Sequence, residues 1–259
     1  MINLKKNSTI QSVFVLFLTF LILTSCGSEK LYNSEIKGKQ IPVSDTYNND
    51  KQIEDFIAPY RDHINKDLDS VLAYAPETFT KTKGKWQTNI GNLMADMTFE
   101  TADTLLYQRE KEHVDICLLN YGGIRATIPQ GNVTARSAYE IMPFENSLIV
   151  MALRGKQVKE IAEYISQGKR PHPLAGMLIV LNNNGTVKSA TVQGEPIDEN
   201  KVYYVATSDY LSNGGDNMNF FKEAVAEYKL DYKLRNIYID YFKKADTLPV
   251  NNSNRIITE

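Results

Sequence analysis

Met177–Leu178–Ile179–Val180–Leu181–Asn182–Asn183–Asn184–Gly185–Thr186–Val187–Lys188–Ser189–Ala190–Thr191–Val192 is the stretch on which the fold class turns. Its apolar run to Leu181 reads as a strand. Asn182 to Gly185 read as a turn, because Asn and Gly tolerate positive φ. Residues 186–192 then read as a returning strand, so this pair is a hairpin. Elsewhere helical and strand patterns mix without the regular alternation of a doubly wound sheet. The expectation is an α+β fold, a single domain with a mixed β-sheet flanked by helices.

Working outward, Ile53, Phe56, Ile57, Tyr60, Ile64, Leu68, Val71 and Leu72 recur at spacings that mark an amphipathic helix over 51–73, with Pro59 kinking it or shifting its start. Ile90, Leu93, Met94, Met97, Ala102, Leu105 and Leu106 mark a second helix over 90–106. A buried strand follows and ends at Asn120. A short helix over 134–141 takes Thr134 as its cap. Strands are expected at 147–153 and 202–207, with a helix at 155–166 between them. Two helices, 219–228 and 231–244, precede a last strand at 255–257. No internal repeat or low-complexity block is present.

The N-terminus has the form of a targeting segment. Lys5 and Lys6 precede an apolar run from Val13 to Leu23, too short to span a bilayer before Leu23–Thr24–Ser25–Cys26. Small residues before that cysteine resemble the lipobox of bacterial lipoproteins; a Sec signal with an incidental cysteine is the alternative. The resemblance implies cleavage before Cys26 and acylation of it, which would hold the chain at the cell envelope, on the periplasmic or outer-surface face, by lipid alone. The expected organisation is a signal peptide over 1–26, a polar tether over 27–50 and one folded domain over 51–259.

Composition excludes several classes. Lys and Arg number 29 and Asp and Glu 31, for a net charge of −2, so nothing draws the chain to a nucleic acid polymer or an anionic membrane surface. Two cysteines allow no disulfide framework once Cys26 carries lipid, and Cys117, inside an apolar strand, reads as a core thiol.

Three loops carry candidate chemistry. Asn120–Tyr121–Gly122–Gly123–Ile124–Arg125 directly follows a buried strand; its glycines permit close approach, and Arg125 has a planar fork suited to phosphate. A tight turn with a surface Arg would look the same. Met142–Pro143–Phe144–Glu145–Asn146 could present an aromatic ring, or Phe144 could be a core plug. Ser208–Asp209–Tyr210–Leu211–Ser212–Asn213–Gly214–Gly215–Asp216 pairs an aromatic with an acid, able to stack a flat ring and accept ribose hydroxyls; Asp216 capping the next helix is the alternative.

Together, and in this order, these loops resemble the C-terminal domain of the 5′-nucleotidase family, whose Gly-Asn-Leu-x-x-Asp helix start is matched by Gly91–Asn92–Leu93–Met94–Ala95–Asp96. The resemblance covers roughly residues 80 to 259. It implies that Phe144 and Tyr210 sandwich a nucleobase and that Asp216 holds the ribose. It also implies that Asn120 and Arg125 bind near sugar and phosphate, and that Gly122, Gly123 and Gly215 belong to the substrate-binding site, the backbone at Gly122 and Gly123 permitting close approach. One departure stands out. Where the family often carries a second phosphate-facing Arg, this chain has Trp86, with Lys83 and Lys85 nearby to supply charge without the bidentate fork.

Family members hydrolyse phosphate esters at a two-metal centre in a separate N-terminal domain. Its Asp-x-His, Gly-Asp, Asn-His-Glu and Gly-His motifs do not occur here, and His63, His113 and His172 lack ligand spacing. No nucleophile elbow or phosphate-binding Walker loop appears. No cofactor is expected in this chain, and divalent metals are expected only in a partner metallophosphatase subunit. Two readings follow: a nucleotide-recognition component working with that separate chain, or a stand-alone nucleotide- or nucleoside-binding envelope lipoprotein without catalysis.

Overall fold

The computed structural model describes residues 5–23, 31–44 and 46–259, and the chain divides into two compact units at Lys51. In the first unit, helix α1 (Lys5–Leu23) is followed by irregular chain. No helix of the described residues is long and apolar enough to cross a membrane. Cys26 lies outside the described residues.

The second unit runs α2 (Lys51–Leu68), β1 (Val71–Ala75), α3 (Asn89–Glu110), β2 (Ile116–Leu118), β3 (Gly131–Thr134), α4 (Ala135–Ile141), β4 (Ser147–Arg154) and α5 (Gly155–Gly168). Then come β5 (Leu174–Ala175), β6 (Met177–Leu181), β7 (Val187–Val192), β8 (Glu195–Pro196), β9 (Val202–Ser208), α6 (Asp209–Ser212), β10 (Ala226–Lys233), α7 (Leu234–Lys244) and β11 (Ile256–Thr258). Five strands form the central sheet in the order β10-β4-β9-β2-β5, antiparallel except where β2 runs parallel to β9. The predicted hairpin, β6 and β7, belongs to a second mixed sheet, β11-β6-β7-β8; its turn is closed by Asn182 N–H donating to Thr186 O at 2.8 Å, with Gly185 at φ +87°.

The central sheet is covered on both faces, which is why β4 and β9 are apolar almost throughout. Side chains alternate across a strand. Leu148 and Val150 of β4 and Cys117 of β2 pack with Met94 and Met97 of α3 and Tyr238 and Phe242 of α7. Ile149, Met151 and Leu153, with Ile116 and Leu118, pack with Val158, Ile161 and Ile165 of α5 on the other face. Thr134 caps α4 as expected: its hydroxyl accepts from Ser137 N–H, and the Ser137 side chain answers to the Thr134 backbone.

Two expectations fail. The first helix stops at Leu68, not at residue 73, and Val71–Ala75 pairs with β3 instead. The period changes from helical to two at Asp69–Ser70, and Ala73 and Ala75 turn inward. The helix expected over 219–228 is cut to a short 3-10 helix over 219–223. Ala226–Lys233 is the edge strand β10, whose Glu227, Lys229 and Asp231 face solvent while Leu230 is buried. Charges on that edge discourage pairing with another chain.

The Gly91–Asp96 motif ties down the C-terminal segment. Asn92 Nδ2 donates to the carbonyls of Asn251 (2.9 Å) and Ser253 (3.3 Å), and the Asp96 carboxylate takes both 2.7 Å bonds from Arg255 Nη2. Arg255 is buried and also reaches Leu174 O. Removing the acid strands a buried guanidinium. Asp96→Ala is expected to lower unfolding free energy by about 2–3 kcal/mol in urea denaturation.

Candidate functional site

Parallel pairing of β2 with β9 places both of their C-terminal ends at one edge of the sheet, and antiparallel pairing of β4 with β9 (Leu148 opposite Ser208) brings the start of β4 to the same edge. The three loops of interest leave or enter the sheet there. They enclose a cavity of about 480 Å³, lined by Asn120, Gly122, Gly123, Arg125, Phe144, Tyr210 and Asp216 together with Leu119, Met142, Glu145, Asn146, Ser208 and Leu234. Open α/β sheets commonly bind ligands beyond the carboxyl ends of their strands.

Phe144 is 43% exposed and Tyr210 47% exposed, so neither ring is a core plug. Phe144 stands on the loop before β4 and Tyr210 on the short helix α6, at the same cavity. Gly215 lies behind Tyr210 and is not in the cavity wall: a Cβ there would come within 2.5 Å of Tyr210 Cε1, so only glycine lets the ring seat against this backbone.

Asp216 adopts a left-handed conformation (φ 51°) and lines the cavity. Asn120 Nδ2 donates to Oδ2 at 2.7 Å and the Tyr210 hydroxyl donates to Oδ1 at 2.9 Å. Tyr164 donates its hydroxyl to the Asp216 carbonyl at 2.8 Å. The carboxylate is thus committed to this cross-loop bridge, and no side-chain capping bond is made to the turn that follows. An ionised carboxylate offers about four acceptor positions, so acceptor capacity remains for ligand hydroxyls. The glycine pair makes room for the bridge: a Cβ on Gly123 would lie 2.8 Å from Asn120 Oδ1.

Arg125, also in the cavity lining, has its guanidinium carbon 5.9 Å from the Phe144 ring centroid and one bond to Gly122 O (3.3 Å). The cation beside it is Lys81, which the sequence did not single out. Its ammonium donates to Ile124 O at 2.6 Å and sits 4.6 Å from the Tyr121 ring centroid. Burial, and then the Arg125 charge, hold its pKa below the usual lysine range. Trp86 is buried in the core on the α5 side of the sheet, and Lys85 lies over its ring. Lys83 lines a separate polar cleft with Glu77 and Asn89. No spacing rule pointed to Lys81; its approach to Ile124 spans 43 residues of sequence.

Beneath the Asn120 loop lies His172. Its Nδ1 accepts from Tyr121 N–H at 3.2 Å, and its ring is 5.5 Å from that of Tyr164. It is a support for the loop. His63 pairs with Asp67 on the surface of α2 and His113 with Asp103. Cys117 is buried, and burial raises its thiol pKa far from nucleophilic use. Among the described residues, no group of three or more His, Cys, Asp or Glu side chains could hold a metal ion.

Residues 71–223 match the family model described as 5′-nucleotidase, C-terminal domain. An apyrase from Tabanus yao is 27% identical over 191 residues, covering 65% of this chain and 34% of that protein. A trifunctional nucleotide phosphoesterase protein of Bacillus subtilis is 33% identical over 172 residues, covering 61% of this chain and 11% of its own length. The crystal structure of a 5′-nucleotidase precursor from Thermus thermophilus superposes with a TM-score of 0.67 at 26% identity, covering 79% of this chain and 42% of that one. The chain therefore spans well under half the length of each.

Burial pushes the His172 imidazole down to about 4 from the ordinary 6.5. As pH falls, the unfolded chain takes up this proton first, so the stability is full above 6.5 and is lost as pH falls towards 4. The wild type is expected to lose about 2–3 kcal/mol through this group between pH 7 and pH 4.5, and His172→Asn, which keeps an acceptor without the titration, to lose correspondingly less in paired urea denaturations.

Proposed function

The chain belongs to the 5′-nucleotidase C-terminal domain family, and on that premise we propose that the cavity between Phe144 and Tyr210 recognises a nucleotide or nucleoside. The observation that carries the reading is the pair of half-exposed rings, 66 residues apart in sequence (210 − 144), at one cavity that Asp216, with its hydrogen-bonded carboxylate, and Arg125 also line. Its volume is within the range of pre-formed small-molecule sites.

In this reading the base lies against Phe144 and Tyr210. Such stacking is worth roughly 1–3 kcal/mol per base and tolerates any base, since each has a π-face. Asp216, fixed by Asn120 and Tyr210, accepts the ribose hydroxyls. Arg125 and Lys81 take the phosphate, the first through its planar fork and the second as a point charge; Lys81 fills the electrostatic part that Trp86 cannot. The chain supplies recognition for a phosphohydrolase of nucleotide catabolism, and a separate metallophosphatase chain supplies the divalent metals. A lipid on Cys26 holds it to the cell envelope.

This reading gives base and phosphate to different side chains, which supplies the test. In calorimetric titrations, Phe144→Ala and Tyr210→Ala each weaken AMP and adenosine alike, by about five- to 150-fold. Arg125→Ala and Lys81→Ala weaken AMP and leave adenosine within about twofold. Equal binding of AMP by the wild type and both aromatic variants would count against the reading.

A further inference from the structure

Between the end of α4 at Ile141 and the start of β4 at Ser147 the chain has no regular structure, and Phe144 is on this stretch. Its ring can serve as a fixed wall only if something outside the loop holds the backbone. Asp209 of α6 takes a 2.8 Å bond from Asn146 Nδ2, and the start of α7 holds the rest. Lys233 Nζ donates to Glu145 O at 2.7 Å and Ser147 Oγ at 3.0 Å, and Leu234 N–H donates to Asn146 O at 3.0 Å. Arg235 completes the grip: its Nη1 donates to the carbonyls of Phe144 (3.3 Å) and Met142 (3.5 Å), one on each side of Pro143, and its Nη2 to the Glu145 carboxylate. The guanidinium carbon lies 4.1 Å from the centroid of the Tyr139 ring of α4.

Arg235 is only 6% exposed, and its Nε has no hydrogen-bond partner. Burying a guanidinium with a donor unmade costs stability, and an apolar side chain of similar volume often replaces such a group at no loss. Stability alone is therefore a weak reason for an arginine here. What an apolar residue cannot supply is a rigid fork that spans two carbonyls and a carboxylate of one loop. Pro143 has no N–H, so the loop makes fewer bonds of its own at that point.

We propose that Arg235 is a positioning residue that locks the Phe144 loop, so that the ring is pre-set for stacking rather than ordered on binding. This rests on the reading of Phe144 as a wall of the base site. A pre-ordered wall avoids an ordering cost at each binding event, so the lock is felt as affinity for the base and not for the sugar phosphate.

The test uses the full chain with Arg235→Met, which matches volume without donors, and Arg235→Lys, which keeps charge without the fork. Backbone hydrogen exchange over 142–147 and at the Leu234 amide is expected to quicken at least tenfold in Arg235→Met, with exchange in α3 and β9 unchanged; Arg235→Lys recovers part of the protection and serves alone if Arg235→Met does not fold. AMP affinity falls in Arg235→Met, ribose 5-phosphate affinity does not, and combining Arg235→Met with Phe144→Ala weakens AMP no further than Phe144→Ala alone. Unchanged exchange over 142–147, or losses that multiply in the double variant, overturns the lock. A wild type that binds AMP no more tightly than ribose 5-phosphate overturns the stacking reading instead, and with it the purpose assigned to the lock.

Discussion

The pairing of Ile116 with Val205 and of Cys117 with Ala206 makes β2 and β9 parallel neighbours in a sheet otherwise built of antiparallel pairs. Both strands then end at the same edge, and the loops beginning at Asn120 and Tyr210 must start side by side. Because β4 runs against β9, the loop that carries Phe144 enters there too. Three segments distant in sequence are thereby delivered to one place by backbone hydrogen bonding. The apolar character of β4 and β9, buried against α3 and α7 on one face and α5 on the other, keeps the sheet from shifting.

Polar contacts then hold the loops rigidly against one another. The Asp216 carboxylate joins the first loop to the third through Asn120 and Tyr210, and buried, uncharged His172 supports the first from below. Buried polar networks stiffen a structure when their members are satisfied. The glycines fit this scheme more than a ligand: Gly123 clears space for Asn120, and Gly215 for the Tyr210 ring. The second loop is tied to the third by Asn146 Nδ2, which donates to Asp209 Oδ1 at 2.8 Å, and is held further by the first turn of α7.

Period and end signals made much of the fold legible. The Asn182–Gly185 turn, the Thr134 cap and the apolar stripes of α3 and α5 each depend on neighbours a few residues away. Where two periods meet, the reading failed: Leu72 continued a helical stripe although Asp69–Ser70 had ended it. Over 226–233, strict alternation of Glu, Lys and Asp with Tyr and Leu is the strand signal, competing with helix-forming Glu, Lys and Leu. The site divides similarly. Loops with glycine pairs and aromatics announce themselves locally. Lys81 and Arg235 do not, because their relevance comes from contacts across 43 and about 90 residues that only the folded chain creates.

The account depends on a planar ligand entering between two aromatic side chains. Proton NMR of adenosine titrated with the chain reads this directly, since protons held over aromatic faces shift upfield. Clear upfield shifts of the purine H2 and H8 signals, larger than any on the ribose and lost in Phe144→Ala, are the predicted result. Shifts confined to the ribose protons, or no perturbation at saturating protein, would contradict it.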